Sequence, residues 1–342
     1  METESSLYSL LFQNIRWLLF VVVAVAAIFY LYKKRSSFNS PAIATRNLDM
    51  YAVDLTLQAK QGTIDPVVGR DDEIARATQI LTRRTKNNVI LVGAPGVGKT
   101  AVVEGLANRI TAGLVPEVLL NKRVLLLQVS EILAGTKYRG EFEQRVKGII
   151  QEIRNSNRTI ILFIDEIHTI TQTKGTEGAV NLSDILKPAL ARGDLQLIGA
   201  TTQKEYELYI QPDESWDRRF QVVLVDEPSV EESVKILQGI KKNYEDYHKV
   251  TISNEAILAA VRLSQEYIKG RRLPDKAIDI MDEASAMVNV ERGSKHEQAA
   301  ALLHSAAKKA SEKSLESNPI VDVEHVKEVV AEWVGMEKKD IN

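Results

Sequence analysis

Short, predominantly apolar runs alternate with longer amphipathic stretches through the middle of the chain. The runs are Asn88–Val92, Arg123–Val129, Thr159–Ile164, Leu195–Ala200 and Val222–Val225. Apolar runs without polar alternation read as strands buried on both faces. Alternating with helical stretches, they predict an α/β fold: a parallel sheet with helices on both faces. The predicted helices include one over Thr100–Ile110 and one capped by Asp71 and running to about Thr82.

From Ser229 the pattern changes to helices only, at about Glu231–Tyr244, Glu255–Tyr267 and Pro274–Glu291. This predicts a small all-α lid domain. Residues 293–317 are rich in Ala, Lys and Ser and read as helix plus linker. Val321–Val334 has a strand-like start and then helical spacing. The predicted order is an N-terminal segment over 1–35, a tether over 36–47, an α/β domain over 48–228, a helical lid over 229–291 and a closing segment over 292–342.

Trp17–Tyr32 carries no charged residue. Extended back to Gln13 it would rise about 30 Å as a helix, the thickness of a bilayer core. Three readings compete: a cleavable signal peptide, a buried core helix and a transmembrane anchor at about 13–32. Glu2 and Glu4 precede the run, whereas Lys33, Lys34 and Arg35 follow it. That polarity disfavours a signal peptide. A single-pass anchor with everything after Lys33 in the cytoplasm is the expectation, following the positive-inside rule.

Composition narrows the class. The 342 residues suggest about two domains, and 44% hydrophobic with 26% charged residues suits a globular core. The net charge of −2 offers no basic field for nucleic acid. No cysteine is present, which excludes disulfides, thiolate metal ligands and thiol catalysis. The histidines are scattered and none are spaced as a metal pair.

The chemistry centres on Gly93-Ala94-Pro95-Gly96-Val97-Gly98-Lys99-Thr100, which fits G-x-x-x-x-G-K-[ST]. Glycines let backbone N–H groups converge on an anion, at the N-terminus of the helix that follows. Lys99 would reach the β/γ-phosphates of a nucleotide and Thr100 would ligate Mg²⁺. The apolar strand ending at Asp165-Glu166 answers this loop: Asp165 is assigned to the metal and Glu166 to the base that deprotonates the attacking water. Three further motifs stay open on residue chemistry alone. Thr201-Thr202 could report the γ-phosphate or simply cap a turn. Arg218-Arg219 could reach a neighbour's nucleotide or be surface charge. Lys137-Tyr138-Arg139-Gly140 could grip something, or be a solvated helix start.

Long motifs carry a resemblance. DPVVGRDDEI (65–74), RRTKNNVILVGAPGVGKTAVVEGLA (83–107), KYRGEFEQR (137–145), ILFIDEIHT (161–169), LKPALARGDLQLIGATT (186–202), RRFQ (218–221) and LPDKAIDIMDEA (273–284) resemble the first ATPase module of the Clp unfoldases and disaggregases, in the AAA+ class of P-loop ATPases. The resemblance implies ATP and Mg²⁺ as cofactors and a homo-oligomeric, hexameric ring. Val68, Gly69 and Asp275 would border the nucleotide, and Thr202 would be its sensor. Arg218 and Arg219 would act in trans, and the 137–140 loop with Tyr138 would grip a protein substrate in the pore. The resemblance implies remodelling or unfolding of proteins, which the expected anchor places near the cytoplasmic membrane face. Two alternatives stand beside it: an ATPase component of a secretion or conjugation assembly, and a nucleotide-gated scaffold with little turnover. Departures from the family's pattern are also expected: a short Ala/Lys-rich segment stands in place of the long middle coiled coil and a second module is not expected, so neither is docking to the usual Clp peptidase.

Overall fold

The computed structural model describes residues 45–134, 139–172, 182–302 and 318–341. The expected membrane span at 13–32, together with Lys137 and Tyr138, lies outside these residues. Among the described residues no helix is long and apolar enough to cross a membrane.

The first domain opens with α1 (Arg46–Tyr51), β1 (Ala52–Asp54) and α2 (Leu55–Gln61). It continues with α3 (Asp71–Leu81), β2 (Asn88–Val92), α4 (Lys99–Thr111), β3 (Arg123–Leu127), α5 (Val129–Leu133), α6 (Arg139–Asn155) and β4 (Ile160–Ile164). It closes with α7 (Thr169–Gln172), α8 (Leu182–Arg192), β5 (Gln196–Thr201), α9 (Glu214–Asp217) and β6 (Phe220–Leu224). Between β5 and α9 runs a π-helical turn, Tyr206–Ile210.

These strands form one sheet in the order β1-β3-β4-β5-β2-β6. All neighbours are parallel except β1, which pairs antiparallel with β3 through Val53 and Leu126. Every residue of β2, β4 and β5 is buried, which explains their lack of alternation. One apolar cluster covers each face of the sheet: α6 and α8 pack on one side, α3 and α4 on the other. Register sets Val92 beside Thr201 and Ile164 beside Gly199, so the ends of β2, β5 and β4 come level.

Three expectations need correction. The second predicted strand stops at Leu127 rather than Val129. There the Gln128 amide bonds the Tyr51 carbonyl, and the chain turns into α5. Asp71 does not cap α3: it is the first helical residue, and its carboxylate is paired with Arg109 of α4. The stretch after Ser229 is not purely helical.

That second domain contains α10 (Val230–His248), β7 (Thr251–Ile252), α11 (Asn254–Tyr267), α12 (Asp275–Leu302), β8 (Ile320–Val321) and α13 (Val323–Val334). Ser229 starts α10 with a reciprocal capping box to Glu232. β7 and β8 form a two-stranded parallel pair, Thr251 opposite Ile320. Val321, Val326, Val329 and Val330 enter the same core as Leu237, Ile257 and Ile280. The strand and helix after residue 318 are therefore part of the lid's packing.

Candidate active site

The parallel sheet delivers its loops to one edge, where open α/β folds bind ligands. β2, β5 and β4 are neighbours there, so the loop after β2 faces the residues that end the other two. The resulting cleft has a volume of about 910 Å³. Pro95 to Thr100 line it, with Asp165, Glu166, Thr201 and Thr202 opposite. Val68 enters from the segment before α3, and Asp275 from the first turn of α12.

The loop is held open by backbone that only glycine adopts easily. Gly96 and Gly98 have φ of 78° and 95°. A Cβ on Gly96 would lie 2.8 Å from Cβ of Asp275, so the lid packs directly on the loop at this point. Lys99 Nζ donates to the carbonyls of Gly93 at 3.0 Å and Ala94 at 2.9 Å. Burial lowers the Lys99 pKa, and Asp165, Glu205 and Glu166 oppose that shift. Thr100 Oγ1 donates to Asp165 Oδ2 at 3.3 Å, and the Glu166 amide to Asp165 Oδ1 at 2.8 Å. A hydroxyl and a carboxylate facing each other are the hard oxygen donors Mg²⁺ takes. Glu166 is exposed at the strand end with φ of 47°, the left-handed region that non-glycine residues rarely occupy.

Thr202 caps the turn that follows β5. It accepts from the Glu205 amide at 3.3 Å, and its hydroxyl donates to Glu205 Oε2 at 2.8 Å. Thr202 is thus both a capping residue and part of the cleft wall. Gly69, with φ of 73°, follows Val68 at the cleft's edge. Arg218 and Arg219 do not line the cleft. Arg219 Nη1 donates to the Leu190 carbonyl at 3.1 Å, whereas Arg218 is exposed. Arg139 and Gly140 begin α6; the Lys137 and Tyr138 part of that loop is outside the described residues.

Several cleft residues escaped the sequence reading. Ile236, Ile240 and Tyr244 line the cleft from α10, with Ile278 from α12. Their only signal was an i, i+4, i+8 stripe, which looks like ordinary core spacing. Glu104 lines the same end from α4; burial, and then Asp65, raises its carboxyl pKa. Arg70 is buried and holds three things together: Nη2 donates to the Val97 carbonyl at 2.6 Å and the Asp226 carbonyl at 2.9 Å, and Nη1 pairs with Glu73 at 2.6 Å. Glu205 gathers Thr201, Thr202 and His168, and no motif pointed to it.

Comparison with known proteins agrees with this geometry. Residues 89–225 match the ATPase family associated with various cellular activities (AAA), and residues 229–329 match the AAA lid domain. Over 255 residues the chain is 58% identical to chaperone protein ClpB of Meiothermus ruber, which covers 75% of this chain and 30% of that protein. Porphyromonas gingivalis ClpB is 56% identical over 244 residues, covering 71% of this chain and 28% of that one. A closed-state reconstruction of Hsp104 with ATPγS and FITC casein superposes with a TM-score of 0.74 at 40% identity, over 87% of this chain and 47% of that chain. A Saccharomyces cerevisiae Hsp104–ADP complex gives a TM-score of 0.74 at 40% identity, over 86% and 46%. The chain therefore spans under a third of these ClpB relatives' length and about half of the Hsp104 chains. It carries an AAA ATPase domain followed by its AAA lid, and the nucleotide of this ATPase is ATP with Mg²⁺.

Proposed function

We propose that the module hydrolyses ATP within a homo-oligomeric ring and uses the resulting movement to remodel or unfold protein substrates at the cytoplasmic face of a membrane. The observation that carries the hydrolysis is the meeting of the phosphate loop, Asp165-Glu166 and Thr201-Thr202 at one sheet edge beneath the lid. The loop amides and Lys99 bind the phosphates. Thr100 and Asp165 are the residues that would hold Mg²⁺, which supplies charge neutralisation to the phosphates. Glu166 orients a water and takes its proton as the water oxygen bonds to the γ-phosphorus. The bond to the β–γ bridging oxygen breaks, and its electron pair leaves with ADP.

The ring rests on Arg218, which lies outside its own cleft and is exposed to solvent. Such a cation is placed to act on a nucleotide bound by a neighbour, as an arginine finger does in trans. The similarity to ClpB and Hsp104 supports the same assembly, and the casein named with one Hsp104 structure supports a protein substrate. Membrane placement rests on the apolar run before Lys33.

Glu166→Gln should bind ATP while turnover falls about 10²–10⁴-fold, the range of a lost general base. Unchanged turnover in a steady-state ATPase assay removes Glu166 from that role. The same variant, crosslinked and recovered from membranes, should retain substrate protein. A fragment beginning at Phe38 should lose membrane association; sedimentation of that fragment with vesicles overturns the anchor. Tyr138→Ala should abolish work on a substrate protein, and survival of that work favours an assembly role instead.

A further inference from the structure

The chain between Thr202 and Arg218 is bonded to itself almost turn by turn. The Tyr206 amide donates to the Thr202 carbonyl at 2.9 Å, and the Gln211 amide closes the π turn on Tyr206 at 2.9 Å. The Asp213 amide bonds Ile210 at 3.1 Å, and the Arg218 amide bonds Glu214 at 3.3 Å. A π turn is rare and is frequently found at functional sites. The two ends of this segment are also joined by side chains: Tyr206 Oη donates to Asp217 Oδ1 at 2.8 Å. Tyr206 directly follows Glu205, the partner of Thr202. Asp217 directly precedes Arg218.

Both ends are anchored where the bond can act. Glu205 accepts from Thr202 Oγ1 at 2.8 Å, the Thr202 amide at 3.1 Å and Thr201 Oγ1 at 3.2 Å, and meets His168 Nδ1 at 3.1 Å. At the other end Trp216 is fully buried and its indole donates to Ser183 Oγ at 2.9 Å, which seats α9 on α8. Burial, and then the bond to Asp217, pushes the Tyr206 hydroxyl up to about 12, so it stays a donor throughout the neutral range.

We propose that the Tyr206–Asp217 hydrogen bond is a strut that carries the state of a subunit's own nucleotide from Thr202 to Arg218, which it then presents to the neighbouring subunit. The inference rests on the ring reading above. A terminal phosphate in the cleft competes with Glu205 for the Thr202 hydroxyl. Glu205 then loses one of its donors, and the turn it closes shifts. Tyr206, the next residue, moves with it and carries Asp217 and the adjoining arginine. Tyr206 and Asp217 are positioning residues, because neither lines the nucleotide cleft.

The test uses the full chain, with ATP-dependent assembly followed by light scattering and ATP affinity by a fluorescent ATP analogue. Tyr206→Phe and Asp217→Ala should assemble and bind ATP as the unaltered chain does. Their kcat should fall about tenfold, part of the 10³–10⁵ an arginine finger supplies, and the Hill coefficient should fall toward 1. Asp217→Asn keeps an acceptor for the tyrosine hydroxyl and should retain most of the rate. The double variant should be no slower than either single one, as for two residues acting through one bond. A Tyr206→Phe ring with unaltered kcat and Hill coefficient overturns the strut. So does equal loss in Asp217→Asn and Asp217→Ala, or loss of assembly in Tyr206→Phe, which makes the bond structural. If the unaltered chain does not assemble with ATP, the ring reading itself fails and takes the strut with it.

Discussion

Lys99 and Lys122 show how differently two half-buried ammonium groups are used. Lys99 lies among carboxylates and was legible from its motif. Lys122 has no such company: its Nζ donates to the Arg158 carbonyl at 2.6 Å and to the Gln196 amide oxygen. Burial, and then the Arg158 guanidinium, lowers the Lys122 ammonium to about 8. Between pH 8 and 10.5 the unfolded chain therefore binds more protons at this residue than the folded chain. Stability contributed by Lys122 rises with pH across that window. Compared with Lys122→Gln, the unaltered chain should gain melting temperature between pH 8 and pH 10, and a constant gap between the two would refute the shift. Nothing in the sequence marked Lys122, because its neighbours Arg158 and Gln196 come from distant parts of the chain. Glu166 was legible by position, yet its left-handed backbone was not.

At the scale of elements, long patterned segments were read well and short ones were not. β2 and α4 were expected within a residue of where they lie, because the apolar run Val89–Val92 and the glycine loop after it fix where one ends and the other begins. β1 has three residues and β7 and β8 have two each, too few for any periodicity. Val129 lies beyond Gln128 and belongs to α5, because an apolar residue just past a strand's end looks the same in sequence whether it extends the strand or opens a helix. The loop between β2 and α4 carries a prediction at this scale. Gly96→Ala adds a Cβ at φ of 78° and 2.8 Å from Asp275. The left-handed conformation alone costs an alanine about 1–2 kcal/mol. ATP affinity, read by titration, should weaken about tenfold as the loop and lid separate. An unchanged affinity would show that the close approach of loop and lid is unimportant for binding.

Across the whole molecule, the link between ATPase domain and lid is a short polar hinge with defined ties. Arg70 joins the phosphate loop to Asp226, and the next residue, Glu227, accepts from Arg272 at 2.8 Å and from the Leu273 amide at 2.8 Å. One guanidinium thus spans the loop, the hinge and α3, while a carboxylate holds the lid to the hinge. Arg70→Lys supplies a single ammonium that cannot reproduce this planar fork. The variant should fold, but its ATP affinity should drop about tenfold, and the lid should close less completely, as seen in small-angle scattering with and without nucleotide. Unaltered affinity and unaltered closure would remove Arg70 from the coupling. The motif containing Arg70 was visible in the sequence, but the two carbonyls it binds were not.

The sequence by itself determined what is local or directly encoded. The apolar runs made a buried parallel sheet, and the loop over 93–100 and the pair Asp165-Glu166 named a nucleotide chemistry, because each of these works through adjacent residues with obligatory geometry. Tertiary structure alone decided which residues share the cleft. Strand order put β5 between β2 and β4, which brought Thr202 and Glu205 to the loop. Packing seated α10 and α12 over it and carried Arg218 away from it. It also separated the two arginines, tying Arg219 to Leu190 and leaving Arg218 exposed. These are contacts between residues far apart in the chain. They depend on sheet order and helix packing, which no local pattern records.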